Sequence, residues 1–382
     1  MSIYNINGDT CNAYEASGDV YTTYVDAYQA AINSARDAWK AQHLQLAKVF
    51  SKNGIVNDLG RKEIIPIVLH TDQHDTLKTE NALSNALFAH LGVAIDWGKT
   101  SACIGLGDVD LTKSAYASMD TVLSSIPRAK RIDIWGNHDL WNNSATVDGQ
   151  FVVDWDTVYP YFNNENYGDD SHAYNRHGIE YHIDARHNIK YVCIAGWEID
   201  TAKGGNSHYV IGRSSMASII EMLEEQDGYD IVILCHTCPY ANNANKYTLA
   251  GSDDAVVTPT LTENEINQPV VHVLECQLDN MLKARNDKTS GTITDSYGNE
   301  HSYDFTNTTG NIICVLMGHY HTDAYQYSTD GVLSVDYDAF AYGKRPFYLI
   351  NIDRSGGMIY NWKILSDGTV YDYAIPIKEV TS

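Results

Sequence analysis

Five apolar runs in this 382-residue sequence end in short clusters rich in His, Asp and Asn. The clusters are His70-Thr71-Asp72-Gln73-His74, Gly107-Asp108, Gly136-Asn137-His138-Asp139, His236 and Gly318-His319-Tyr320-His321. Carboxylate, amide and imidazole groups are ligands that divalent transition metals take in proteins. We therefore predict a metal centre whose ligands are Asp72, His74, Asp108, Asn137, His236, His319 and His321. Seven ligands exceed the needs of one ion, which indicates two.

The spacing within two of these clusters supports a shared site. Asp72-x-His74 and His319-x-His321 each place two side chains on the same side of an extended segment. Any one of these short patterns alone is typical of a solvated loop or a turn, because Gly, Asp and Asn tolerate left-handed backbone. All of them together, in this order and each after an apolar run, favour a common metal centre.

The apolar runs are themselves predicted strands. Short runs rich in Ile and Val and bounded by Gly, Asp and Asn are typical of buried β-strands. We predict strands at residues 64–69, 102–106, 131–135, 189–195, 231–235 and 311–317. Helical patterns lie between several of them, at residues 81–91, 114–125, 214–225 and 269–285. This alternation predicts a layered α/β fold, in which ligands bind at the carboxyl ends of the strands.

The remaining segments suggest one large domain. Residues 158–177 and 242–305 are polar and rich in turn residues, so we interpret them as insertions, and residues 292–305 predict a hairpin. Alternating runs at 346–352, 358–365 and 369–375 predict antiparallel strands near the end of the chain. We therefore predict a domain over residues 61–382, preceded by an N-terminal helical extension over residues 1–60.

The predicted helix in that extension spans roughly residues 21–50. Its apolar stripe, at three- and four-residue spacing, consists of Tyr24, Tyr28, Ala31, Ile32, Ala35 and Trp39. Asn53-Gly54 is a typical helix stop. Two interpretations remain open: a helix packed on the main domain, or a helix that docks a partner and makes the protein a homo-oligomer.

Composition excludes some classes of partner. The chain has 26 Lys and Arg against 49 Asp and Glu, a net charge of −23, and it lacks the basic footprint of proteins that coat nucleic acids or anionic membranes. Its seven cysteines are scattered and imply no disulfide framework. We see no secretory leader and no run of about 20 apolar residues that would span a membrane. We therefore expect a cytoplasmic protein.

Taken together, the ordered clusters resemble those of the calcineurin-like metallophosphoesterase superfamily. The resemblance covers roughly residues 64–323. It implies a four-layer fold, a β-sandwich flanked by helices, with a dinuclear metal centre at one edge. It also implies that Asp72, His74 and His321 bind the first metal, that Asn137, His236 and His319 bind the second, and that Asp108 bridges them. His138 is then expected beside the substrate rather than on a metal.

One position departs from the pattern of some members of the superfamily. The protein Ser/Thr phosphatases have an acidic residue three positions after the bridging Asp, where this sequence has Leu111, and the acid here is Asp110. This departure leaves open whether Asp139, Asp110 or neither residue orients His138, and it disfavours a phosphoprotein phosphatase of that subgroup.

The expected activity is metal-dependent hydrolysis of a phosphate ester. Two ions such as Mn²⁺, Fe or Zn²⁺ can hold a bridging hydroxide and clamp phosphoryl oxygens. His138 is the expected general acid, with Asp139 as a candidate helper, and Asn137 and His138 are expected to contact the substrate. Substrates of the expected kind are small phosphodiesters, nucleotides or phosphorylated small molecules. The alternative is a phage- or surface-associated structural module with little turnover, which an excess of 27 Tyr over 7 Phe also fits.

Overall fold

The computed structural model describes the strands that carry the predicted clusters. The described residues are 64–74, 97–109, 123, 126–141, 179–194, 211, 213–237, 278–319, 321, 323–327, 331–339, 346–365 and 370–378, with short strand segments elsewhere. The predicted helices over residues 21–50 and 81–91 lie outside this part of the chain. The predicted helix over residues 114–125 lies outside it except for residue 123.

Among the described residues, six strands form one mixed sheet. Their order across the sheet is Val370–Pro376, Met358–Ile364, Phe347–Asp353, Ile64–His70, Ala102–Gly105 and Arg131–Asp133. The last three strands are parallel to one another, and the first three are antiparallel. The predicted strands near the end of the chain are therefore present and antiparallel, and one of them pairs with the first predicted strand.

Eight further described strands form a second mixed sheet. Their order is Lys246–Thr248, Ala324–Tyr327, Leu333–Asp336, Ile312–Met317, Asp230–Leu234, Ile189–Ile194, Ile179–Asp184 and Ser171–Ala173. The four strands from Leu333–Asp336 to Ile189–Ile194 are parallel. Their carboxyl ends therefore lie at one edge of the sheet.

The other described elements are short. Two-stranded pairs are formed by Ile3–Tyr4 with Thr10–Cys11, Ser144–Val147 with Gln150–Val153, Glu198–Ile199 with Tyr209–Val210, and Ser290–Thr294 with Glu300–Asp304. The last pair is the predicted hairpin. The described helices are Asn137–Trp141, Arg213–Glu224 and Asp279–Asp287, with a 3₁₀ turn at Arg128–Lys130. None of these helices combines the length and apolar character needed to cross a membrane.

The apolar strands are buried because both of their faces are covered. Every residue of Ile189–Ile194 and Ile312–Met317 is buried, as expected for parallel strands that read as continuous apolar runs. One face of Ile189–Ile194 meets the six-stranded sheet, since the Tyr191 hydroxyl lies 2.6 Å from Ser101 Oγ, just before Ala102. The other face meets the helix Arg213–Glu224. These mixed sheets and helices fit the predicted α/β class.

The two longer helices are joined to the eight-stranded sheet by a buried arginine. Arg285 donates to the carbonyl oxygens of Leu223 at 2.7 Å, Thr309 at 2.8 Å and Gly310 at 3.0 Å. Its side chain is fully buried. Losing the guanidinium would therefore leave all three carbonyl oxygens without this charged donor.

We expect Arg285→Met to lower the free energy of unfolding by roughly 2–4 kcal/mol, since three hydrogen bonds from a buried, charged donor would be lost. Chemical denaturation monitored by circular dichroism measures this change. Lys283→Met is the control, because Lys283 lies on the same helix with a partly exposed side chain and pairs with exposed Asp287. Equal effects of the two substitutions would contradict the role given to Arg285.

Candidate metal centre

The loops that follow the three parallel strands of the six-stranded sheet are held to each other by backbone hydrogen bonds. Asp72 N–H donates to Gly107 O at 3.0 Å, and His74 N–H donates to Asp108 O at 3.0 Å. Ile134 N–H, just after the third strand, donates to Gly105 O on the second strand at 2.9 Å and so holds the third loop beside the second. The first three predicted clusters therefore meet at one sheet edge, as the rule for parallel strands predicts.

The clusters of the eight-stranded sheet lie against this same edge. His236 Nδ1 lies 2.7 Å from Leu106 O, and His319 N–H donates to Asp72 Oδ2 at 3.0 Å. Both contacts cross from one sheet to the other. Polar contacts thus join the two sheets at the predicted metal centre.

One group of donor atoms is formed by Asp72, His74 and His321. His321 Nε2 lies 3.2 Å from Asp72 Oδ1 and 3.1 Å from His74 Nε2. His74 Nε2 lies 3.7 Å from the same carboxylate oxygen. Ligands bound about 2.0–2.1 Å from a tetrahedral ion are about 3.3–3.5 Å apart, so the spacing of these atoms suits a shared metal.

The second group is formed by Asn137, His236 and His319. His236 Nε2 lies 3.1 Å from Asn137 Oδ1 and 3.3 Å from His319 Nδ1. Asn137 begins the helix Asn137–Trp141 after the third parallel strand, whereas the two histidines come from the eight-stranded sheet. This donor set therefore needs both sheets.

Asp108 lies between the two groups. Its Oδ2 is 3.7 Å from His74 Nε2 and 3.2 Å from His236 Nε2. One oxygen atom thus faces both donor sets. The structure therefore brings together all seven side chains predicted as ligands, and Asp108 Oδ2 lies between the two groups.

Each carboxylate in the centre gives one oxygen to the protein and turns the other toward the donor groups. Asp72 Oδ2 accepts from Thr71 Oγ1 at 2.5 Å, which leaves Oδ1 facing His321. Asp108 Oδ1 accepts from His138 N–H at 2.9 Å, which leaves Oδ2 facing the histidines. Outer contacts of this kind orient metal ligands. The donor set therefore fits divalent cations in its chemistry and its orientation.

The backbone at the centre is strained. Asp72, His74, Asp108, His319 and His321 have φ values of 52°, 42°, 53°, 76° and 55°. Positive φ is uncommon for residues other than glycine and costs roughly 1–3 kcal/mol at each one. Such strain persists where the surroundings impose it and is concentrated at functional sites, so its occurrence at five of the seven predicted ligands supports their assignment.

Two glycines make room for the two carboxylates. A Cβ on Gly136 would overlap Asp108 Oδ1, and a Cβ on Gly318 would overlap Thr71 Oγ1 and lie 2.6 Å from Asp72 Oδ2. Gly136, in the Gly-Asn-His-Asp cluster, therefore leaves space for Asp108. Gly318, in the Gly-His-x-His cluster, leaves space for Asp72. Sequence alone suggested turns at these glycines; the close approach of a distant carboxylate is the stronger reason for them.

The loop that carries His321 is anchored to the six-stranded sheet. Asp323 follows this histidine by two residues, and its carboxylate accepts from the Tyr348 hydroxyl and from Lys363 Nζ, both at 2.6 Å. Both partners lie on strands near the end of the chain. The sequence analysis missed the support that Asp323 gives to this loop and the hydrogen bond from Thr71 to Asp72. Neither role follows from spacing within the clusters.

His138 and Asp139 lie beside the centre. The His138 ring is partly exposed and packs edge-on against His74, with ring centroids 4.6 Å apart. The buried Asp139 carboxylate accepts from Gly136 N–H at 2.7 Å. Asp139 therefore stabilises the turn that presents Asn137 and His138. The other acid considered for orienting His138, Asp110, lies outside the described residues.

The Asp108 and His236 side chains stabilise each other's charge. Burial opposes ionisation of Asp108, but the neighbouring imidazoles, His236 first among them, outweigh it and hold the carboxyl pKa well below its usual range. Burial lowers the pKa of His236, but Asp108 outweighs it and the pKa rises to about 9. Without metal, the centre therefore holds a proton on His236 at neutral pH.

Comparisons with known proteins give limited information. No family model and no curated protein matches the sequence. Among solved structures, the chain is similar to the crystal structure of a dimetal phosphatase from Danio rerio, with 11% identity, a TM-score of 0.41, and coverage of 82% of this chain and 99% of that chain. At these values the similarity does not assign the chain to a family. The function proposed below is therefore inferred from the chain's own residues.

We expect Gly318→Ala to weaken Mn²⁺ binding at least tenfold, because the new methyl group displaces the Asp72 carboxylate, and losing an aligned contact of this kind typically costs 10–100-fold in metal affinity. Gly136→Ala should weaken binding further, since Asp108 faces both donor groups. Calorimetric titration with Mn²⁺ measures both. The matched control is Gly298→Ala in the hairpin, where φ is 83° and an added Cβ meets nothing within 4 Å. Binding that is equally weak in the control would point to general destabilisation.

We also expect metal binding to release a proton from His236. Because its pKa is about 9 without metal, a cation must displace that proton at pH 7, and affinity should rise by up to about tenfold per pH unit until pH about 9. Mn²⁺ titrations in two buffers with different ionisation enthalpies count the protons released. His236→Asn should release about one proton fewer than the wild type. Equal proton release by the two proteins would show that His236 is not the source.

Proposed function

We propose that this protein hydrolyses phosphate esters with two divalent cations. The observation that carries the proposal is the position of Asp108 Oδ2, which faces His74 on one side and His236 on the other. Two complete donor groups share this one oxygen. Sites with two adjacent cations are suited to displacement at phosphorus, because both the attacking and the leaving oxygen need stabilisation.

Each donor group would hold one cation. Asp72, His74 and His321 would hold the first, Asn137, His236 and His319 the second, and Asp108 would contact both. The mixture of imidazole and oxygen donors suits Mn²⁺, Fe or Zn²⁺. When bound, the pair would polarise the phosphoryl oxygens and lower the pKa of a water molecule toward neutrality.

The local charge would favour an anionic substrate despite the acidic chain. Two divalent cations carry +4, and the two carboxylates Asp72 and Asp108 return −2, so the centre would be cationic in a protein of net charge −23. Bound cations dominate the field in such sites. Because the sequence has few Lys and Arg residues and no long basic run to hold a polyanion, we propose that the substrate is a phosphorylated small molecule or a nucleotide.

His138 is the proposed general acid. Its backbone N–H is bound to Asp108 Oδ1, and its partly exposed ring lies against His74. The imidazole is therefore held beside the centre with access to solvent. From there, its N–H proton can pass to the leaving oxygen as the P–O bond breaks, a contribution of about 10²–10⁴-fold.

Asn137 and Asp139 have supporting roles in this proposal. Asn137 turns Oδ1 toward His236, which leaves its amide NH₂ group to donate to a phosphoryl oxygen. Asp139, through Gly136 N–H, holds the turn that carries both Asn137 and His138. Its effect on catalysis would therefore be indirect.

The first experiment is an assay of protein stripped of metal with a chelator and then reloaded with Mn²⁺. Hydrolysis of bis-p-nitrophenyl phosphate and p-nitrophenyl phosphate is measured. Turnover that depends on metal is expected, and the ratio of the two rates identifies a phosphodiesterase or a phosphomonoesterase. Protein that binds no metal and turns over neither ester would contradict the proposal and favour the structural module considered as the alternative.

We expect His138→Ala to lower kcat by about 10²–10⁴-fold for an alkyl phosphate ester while metal content stays unchanged. The loss should be much smaller for p-nitrophenyl esters, because p-nitrophenolate leaves without being protonated. Steady-state kinetics with both kinds of ester, together with metal analysis, tests this difference. His236→Ala is the comparison, since removal of a ligand should lower the metal content and affect both esters alike. A uniform loss in His138→Ala would exclude the role of general acid.

A further inference from the structure

A third cluster of metal-binding residue types lies apart from the centre. Donor atoms of Glu180, His182 and Cys193 all lie within 4.8 Å of one another. His182 Nε2 is 3.1 Å from Glu180 Oε1. The residues are 7%, 1% and 0% exposed. None of them belongs to the seven ligands described above.

The pairing of two strands brings these residues together. Ile179–Asp184 is antiparallel to Ile189–Ile194, with Glu180 directly opposite Cys193. Alternate residues of a strand share a face, so His182 lies on the same face as Glu180. Directly opposite side chains on such a face lie about 4.5–5.5 Å apart at Cβ. The cluster is therefore built on two rigid strands and not on a loop.

This face of the sheet is turned toward the six-stranded sheet. Tyr191, which is opposite His182 and two residues from Cys193, contacts Ser101 Oγ at the other sheet. The cluster thus lies between the two sheets, shielded from water. Lys190 is on the opposite face, where it binds Glu225 at 2.6 Å and Asp227 at 2.8 Å. The Lys190 ammonium group is therefore held on the face that the cluster does not occupy.

A carboxylate, an imidazole and a thiol that meet on one buried face form a good ligand set for a metal ion. Cys, His and Glu together are ligands typical of Zn²⁺ and not of Mg²⁺ or Ca²⁺. The donor types and their mutual distances therefore point to zinc.

We propose that Glu180, His182 and Cys193 bind one Zn²⁺ ion at a site separate from the proposed dinuclear centre. The ion would join the two strands between the sheets and contribute to folding free energy, as structural zinc does. Its sulfur ligand distinguishes it from the centre, whose donors are nitrogen and oxygen only. The two sites can therefore be observed independently.

The test uses Co²⁺ as a probe in full-length protein stripped of metal. A cobalt–thiolate bond produces a strong near-ultraviolet charge-transfer band, which the nitrogen and oxygen ligands of the dinuclear centre do not produce. We expect this band in the wild type, with an intensity that saturates at one ion per chain. We expect Zn²⁺ to abolish it by competition and to raise the melting temperature.

Variants assign the band to a residue. Cys193→Ala should lose the band and bind one ion fewer, whereas Cys314→Ala should keep both. Cys314 is a matched control because it is also a buried cysteine, on a parallel strand of the same sheet. Glu180→Gln, which conserves shape, should keep the band and weaken Co²⁺ binding at least tenfold. It provides a second test if Cys193→Ala does not fold.

Two results would overturn the proposal. One is a wild-type protein that shows no charge-transfer band at saturating Co²⁺. The other is a band that persists in Cys193→Ala, which would place the sulfur ligand elsewhere. Neither result bears on the dinuclear centre, because its nitrogen and oxygen ligands produce no cobalt–thiolate band. The phosphoesterase activity of the same samples reports on that centre separately.

Discussion

The position of the Asp108 carboxylate is the constraint on which the rest of the centre depends. Oδ1 is held by His138 N–H, Oδ2 faces the two donor groups, and the backbone carbonyl accepts from His74 N–H. A single residue therefore orients the first donor group, the second donor group and the proposed general acid. This arrangement requires Gly136 to lack a side chain and Asp108 to adopt positive φ. A change in any of these contacts would therefore alter the geometry of both donor groups.

The strained loops persist because the sheets beneath them are rigid. Ile65, Ile67 and Leu69 are fully or almost fully buried on the first strand, and burial of each such side chain contributes about 1.5–3 kcal/mol. The backbone strain at each predicted ligand with positive φ costs roughly 1–3 kcal/mol. Local strain at a metal centre can therefore be offset by apolar packing a few residues away. The cross-sheet contacts of His236 and His319 then hold the two edges at a fixed distance.

Charge is distributed unevenly between the centre and the rest of the chain. The protein carries a large negative net charge, and several of the buried acids among its described residues have close polar partners. Asp323 accepts from Lys363 and Tyr348, and Asp184 accepts from Ser101 and His187. In the centre, by contrast, imidazoles surround the carboxylates, and Asp108 stabilises a proton on His236. In the proposed function, a pair of divalent cations would take the place of that proton.

The strands, and the clusters of His, Asp and Asn that follow them, could be predicted from the sequence alone. Buried parallel strands appear as continuous Ile- and Val-rich runs, and the Gly, Asp, Asn and His residues that follow them interrupt that pattern sharply. Because parallel strands end at one edge, the run ending at Leu69 and the run ending at Leu106 predicted neighbouring clusters. The hairpin near residue 297 was predictable for the same local reason, since its turn residues are adjacent in the chain.

Contacts that depend on strand register, or on packing between segments far apart in the chain, are determined only by the tertiary structure. Phe347–Asp353 lies beside Ile64–His70 although nearly 280 residues separate them, and Asp323 is buried against Lys363. Neither contact has a local sequence signal, because each is chosen by how whole sheets pack. The meeting of Glu180 with Cys193 is similar: a shift of one residue in strand pairing would turn one of them to the opposite face. Sequence periodicity shows which residues share a face of one strand, but register between strands determines which residues meet.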